Sequence, residues 1–153
     1  MQGKSCFFIG HRESDERILP LLEKCIESLI QREGVSCFYV GAYGGFDRLA
    51  TVAAKKMKEK YPHISLILVL PYHPAERPVA LTPGFDGSYY PFAMECAPKR
   101  YAIVKANQHM VDECEWLVCY VRQYSGNSGR LLEYARKREK KGLIRIENLA
   151  ENI

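Results

Sequence analysis

Three short segments set glycines beside residues able to grip an anion or move a proton. They are Gly10-His11-Arg12, Gly44-Gly45-Phe46-Asp47 and Gly126-Asn127-Ser128-Gly129. Glycines between a strand and a helix let the backbone approach an anion closely, and the helix start adds N–H donors and partial positive charge. None of the three forms G-x-G-x-x-G, and none is a Walker loop, which needs Lys before Ser or Thr. Arg12 either holds a phosphate through paired hydrogen bonds or is a solvated surface arginine. Asp47 either caps its helix or accepts from a ribose hydroxyl. His11 either donates to a ligand or is a half-buried structural histidine. Glu133 lies one turn inside the last helix, where it acts as a general acid or base or pairs with Lys137 four residues on.

Other chemistries lack support. His63, His73 and His109 show no H-x-x-x-H or similar spacing, so no metal is expected, and no cofactor is called for. A G-x-S-x-G nucleophile elbow is absent. The run from Arg136 to Lys141 has five bases in six residues. Without interleaved aromatics it reads as a solvated helix face, and nucleic acid is disfavoured as a partner. The net charge of +4 permits an anionic ligand without singling out a polyanion.

The elements that must position these residues are visible in the hydrophobic pattern. Five continuous apolar runs, Ser5–Ile9, Cys37–Val40, Ile64–Leu70, Trp116–Val121 and Leu143–Ile146, read as strands buried on both faces. Between them lie amphipathic helices: one from Ile18 to the Gly34 stop, one over Asp47–Lys60 with Leu49, Val52, Ala53 and Met57 inward, one from about Pro98 to Glu113, and one from about Ser128 to Lys141. This alternation predicts a Rossmann-like, doubly wound α/β fold with a mainly parallel five-stranded sheet in the order 3-2-1-4-5. The Gly10 and Gly126 turns then face each other across the crevice where strand order reverses. Residues 71–98 break the pattern with six of the eight prolines and with Tyr72, Phe85, Tyr89, Tyr90 and Phe92, and read as a long loop covering a binding site.

At 153 residues, 47% apolar and 26% charged, the chain is sized and composed as one globular domain over 1–153. Six cysteines without C-x-x-C spacing, no leader-like start and no apolar run near 18 residues predict a reduced, cytoplasmic protein that does not enter a membrane. Cys6, Cys37 and Cys119 are expected as core packing beneath the crevice, and Cys96 as the reactive thiol.

The motifs Cys6-Phe-Phe-Ile-Gly-His-Arg12, Gly44-Gly-Phe-Asp-Arg-Leu-Ala50, Asn107-x-x-Met-Val-Asp112 and Ser125-Gly-Asn-Ser-Gly-Arg-Leu-Leu-Glu-Tyr-Ala135 occur in that order. Together they resemble the SLOG superfamily, which joins the Lonely Guy phosphoribohydrolases and the DNA-processing protein A fold, and within it the YpsA-like and YoqJ-like branch of bacteria and phages. The resemblance spans nearly the whole chain. It implies a Rossmann-like fold and a nucleotide or nucleotide-derived ligand cradled by Gly10, His11, Arg12, Gly44, Gly45, Asp47, Asn107, Gly126, Asn127 and Ser128. It also implies Glu133 as the catalytic carboxylate of a phosphoribohydrolase. The Arg-Lys pair that precedes the central-helix Met in those enzymes is replaced here by Ala106-Asn107, with Arg100 as the substitute on the same helix. By analogy a homodimer is expected.

Three functions stay open from the sequence: a domain binding a nucleotide-like ligand, an N-glycoside hydrolase acting on a nucleoside monophosphate, and a non-enzymatic DNA- or protein-binding module.

Overall fold

The apolar runs become the buried strands of one parallel sheet. A computed structural model describes residues 3–91 and 98–152. Its strands are β1 (Lys4–Gly10), β2 (Val35–Val40), β3 (Ser65–Val69), β4 (Gly87–Tyr89), β5 (Trp116–Tyr120) and β6 (Arg145–Asn148), in the order β4-β3-β2-β1-β5-β6. All five pairings are parallel. Every residue of β5 is buried, as a strand covered on both faces requires. The Rossmann-like α/β class is as expected, and the five anticipated strands keep their order.

The sheet has six strands rather than five, because the segment read as an unbroken loop contributes β4. That strand is three residues long and carries no apolar run. It is held from outside: Leu70 N–H donates to the Tyr89 carbonyl (2.8 Å), and Asp86 Oδ2 takes the Leu66 N–H (2.8 Å) and the Lys58 ammonium (2.6 Å). Contacts this distant in sequence leave no local signature. Phe92 and Cys96, named above as a loop aromatic and a reactive thiol, lie outside the described residues.

Four helices cover the sheet: α1 (Leu19–Glu33), α2 (Gly45–Lys60), α3 (Ala102–Glu113) and α4 (Asn127–Lys140). Leu22, Ile26 and Ile30 of α1 and Leu49, Ala53 and Met57 of α2 join Phe8, Phe38 and Val40 in one core cluster. Ala106 and Met110 of α3 and Leu132 and Ala135 of α4 join Phe7, Leu117 and Cys119 in the other. Alternate residues of β1 and β5 therefore feed opposite faces, and the sheet is doubly wound. Val52, expected inward, is exposed on α2, and Leu143 is exposed ahead of β6, which starts only at Arg145.

The cysteines divide. Cys6 and Cys119 are fully buried, whereas Cys37 is half-buried and sits beside Ser5, Ser36 and Ser65 at the amino ends of the strands, away from the carboxyl edge. Burial pushes the Cys25, Cys114 and Cys119 thiols up to about 12, which suppresses the reactive thiolate. Among the described residues, no helix is long and apolar enough to cross a membrane.

One buried polar side chain fixes the carboxyl edge of β5. Asn148 at the end of β6 accepts the Val121 N–H through Oδ1 (3.1 Å) and donates through Nδ2 to the Val121 carbonyl (3.1 Å). Its Oδ1 also takes the Ala150 N–H (3.2 Å). The amide extends the β5–β6 ladder by one residue, up to the Arg122–Gly126 turn. Asn148→Ala removes the partner of two buried backbone groups of Val121 and of the half-buried Ala150 N–H. The expected outcome is a loss of more than about 2 kcal/mol in urea unfolding.

Candidate functional site

The carboxyl end of β1 is tied on both sides. His11 N–H continues the ladder to the Tyr120 carbonyl (3.3 Å), and Ser128 Oγ donates to the Gly10 carbonyl (2.9 Å). On the other flank, Phe46 N–H donates to the His11 carbonyl (3.3 Å) and Gly45 N–H to the Arg12 carbonyl (2.6 Å). The fit leaves no room for a side chain at Gly10, where a Cβ would lie 2.3 Å from the Phe46 ring.

The two helices that reach this loop start alike and end up differently. The residue before α2, Gly44, has φ 126° and ψ 177°, and the residue before α4, Gly126, has φ 121° and ψ 179°. Only glycine adopts that region without strain. At α2 the first two N–H groups are taken by the His11 and Arg12 carbonyls. At α4 no side chain caps the N-terminus, and Asn127, Ser128 and Gly129 line a cavity of about 400 Å³. The first helix start is thus a clamp, and the second presents its donors and its positive end to the cavity.

This cavity lies at the carboxyl edge of β1, beside the switch point. Arg12 and Arg100 reach it from the β1 loop and from the turn before α3, with Ile103 and Val104 as its apolar wall. Neither arginine has an ion-pair partner among the described residues. Arg100 lies against the Tyr101 ring, with 4.8 Å between guanidinium and ring centre.

Asp47 is the third residue of α2 and does not occupy the capping position. Its Oδ2 accepts the Tyr43 N–H (3.0 Å) just ahead of the glycine turn, satisfying the backbone from inside the helix. Burial raises its carboxyl from 3.8 to about 6, and the Tyr43 N–H only partly opposes that. A carboxyl that changes charge near neutrality inside a cavity can exchange a proton or accept from a sugar hydroxyl.

His11 lines the same cavity and has a structural task. Its Nε2 accepts the Arg122 N–H (2.8 Å) and the Gln123 N–H (3.3 Å). An imidazolium cannot accept, so the clasp between the β1 and β5 turns needs the neutral ring. Burial first, and then the Arg122 charge, hold its pKa below the ordinary 6.5.

Of the residues expected at the site, Gly10, His11, Arg12, Asp47, Arg100, Asn107, Gly126, Asn127 and Ser128 line this one cavity. Gly44 and Gly45 do not; they press against the Arg12 backbone. Glu133 is exposed on α4 outside the lining. Tyr89, one of the aromatics of the loop expected to cover the site, turns instead to His109 (2.7 Å) and packs on Tyr39. Tyr72 carries Arg77 on its ring at 3.7 Å. The aromatic that does line the cavity is Tyr43, which sequence reasoning passed over. Its place directly before the Gly44-Gly45 turn is the signal that would have found it. Among the described residues, no group of three or more His, Cys, Asp or Glu is placed to hold a metal.

No family model matches the chain, and no curated protein matches it.

The two titrating groups push stability in opposite directions. The folded state resists protonating His11, so the clasp is complete above about 6.5 and weakens as the pH falls below it. The folded state favours protonating Asp47, so the cost of its buried charge is full above about 6 and is relieved toward 3.8. Asp47→Asn is therefore expected to raise stability at pH 7.5, by on the order of 2 kcal/mol, and to give no gain at pH 4. His11→Gln, which can still accept but cannot titrate, is expected to flatten the acid-side loss. Thermal melts across pH 4–8 measure both.

Proposed function

We propose that the chain is a cytoplasmic domain that binds a nucleotide or nucleotide-derived ligand at the carboxyl edge of the sheet. The observation that carries this reading is the convergence, in one cavity, of a helix N-terminus with no side-chain cap, two arginines without ion-pair partners among the described residues, and a half-buried carboxyl. The α4 donors with Arg12 or Arg100 suit a phosphate. Asp47 and Asn107 suit the hydroxyls of a sugar, and Tyr43 offers a ring for a base to stack on. The free, buried cysteines fit a reducing compartment. The basic run of α4 gives little support to a nucleic-acid module, because Arg136 is paired with Glu139 and Glu151, and Arg138 with Asp112.

A panel of nucleoside mono- and diphosphates in a thermal-shift assay tests the reading. A ligand at a hundred times its Kd adds about 2.7 kcal/mol of stability. Arg12→Ala is expected to weaken the responding ligand about tenfold, the loss of one charge-assisted contact. No shift with any nucleotide overturns the proposal.

A hydrolase reading is favoured by the place of Asp47 in the cavity lining, where burial raises its carboxyl to about 6. A carboxyl near 6 can protonate a departing base or stabilise a cationic sugar. The catalytic carboxylate would then be Asp47 in place of Glu133. Base release from AMP, IMP or CMP, abolished in Asp47→Asn and retained in Glu133→Gln, is the required result. Release that survives Asp47→Asn removes this reading and leaves ligand binding intact.

A further inference from the structure

On the far side of the Gly10–Arg12 loop lies a second, open groove of about 500 Å³, and Arg12 lines it as well as the cavity. Arg48 enters it from α2 and Arg122 from the β5 turn, over Tyr120. Among the described residues, one ion pair reaches these three cations. Arg122 has no ion-pair partner among the described residues and meets the Tyr120 hydroxyl at 3.4 Å. Arg48 touches Glu16 at 3.3 Å in an ion pair exposed on both sides, a contact worth little in water. The acids on the rim are Glu13 and Asp15, and Asp15 is already held by Arg17 at 2.7 Å.

Three guanidinium groups gathered from three separate segments, with one shared between groove and cavity, call for an anion at each side of Arg12. We propose that the groove is a second anion subsite and that the ligand carries two phosphates in tandem, a nucleoside diphosphate or a diphosphate-linked derivative. The first phosphate sits on the α4 side of Arg12 and the second meets Arg48 and Arg122. This assignment rests on the nucleotide reading of the cavity and specifies which nucleotides it selects.

Calorimetric titration of matched pairs, AMP with ADP, GMP with GDP, CMP with CDP and UMP with UDP, tests it at fixed ionic strength. For the base that binds, the diphosphate is expected to bind about tenfold more tightly than the monophosphate. The double variant Arg48→Ala with Arg122→Ala removes that advantage and leaves the monophosphate Kd within about twofold. The backbone N–H that Arg122 gives to His11 survives the substitution. Should the double variant not fold, Arg48→Gln and Arg122→Gln singly make the same comparison. Equal binding of the two members of a pair, or an equal loss for both in the variants, overturns the subsite while monophosphate binding still upholds the cavity. Failure of every nucleotide to bind overturns both.

Discussion

The structure turns on how the carbonyl groups at the end of β1 are satisfied. A strand that stops at the sheet edge leaves backbone acceptors that must find donors. Here the Gly10 carbonyl takes the Ser128 hydroxyl, the His11 carbonyl takes the Phe46 N–H and the Ser14 hydroxyl, and the Arg12 carbonyl takes the Gly45 N–H. Two helices from opposite faces of the sheet are thereby fixed to one three-residue loop. The fit demands glycine at position 10, since the Phe46 ring occupies the space of a side chain. It also consumes the donors at the start of α2. Of two near-identical glycine turns, one becomes scaffold so that the other can remain available.

The cavity charges stand in a deliberate imbalance. Two arginines and a helix N-terminus favour an anion, yet the one carboxyl among the described residues of the lining, Asp47, is half-buried and its pKa is raised to about 6. Such a group costs the fold stability when charged, and groups of that kind concentrate where chemistry or recognition needs them. His11 carries the opposite constraint. Burial and the Arg122 charge disfavour its protonation while its Nε2 accepts two backbone N–H groups, so its part in the site is to position the wall.

Much of this was legible because parallel sheets write themselves into sequence as unbroken apolar runs. Phe7, Phe8 and Val118 need no context to be read as core, and Gly34 marks the end of α1 unaided. Their order followed from handedness and short connections. The β4 strand was invisible, since its three residues are held by Asp86 and Tyr89 through partners some twenty residues away. The site was legible as loops and not as roles. Arg12, Asp47 and Ser128 stand out by type and place, but periodicity cannot tell a donor spent on a carbonyl from one that faces open space. That distinction separates the start of α2 from the start of α4, and it left Glu133 outside while Tyr43 went unnoticed.

The short β4 strand has a consequence for the company the protein keeps. Without it β3, with its run Leu66-Ile-Leu-Val69, would be the outermost strand, an apolar template with open hydrogen-bonding groups. β4 covers it with only three residues, flanked by the Lys58–Asp86 pair, and presents the exposed Ser88 outward. A brief, polar, charge-flanked border gives a neighbouring chain little to extend. The excursion through residues 71–91 thus guards the sheet against edge-to-edge aggregation. A shortened version of that excursion would bare the β3 edge and is expected to favour self-association of the chain.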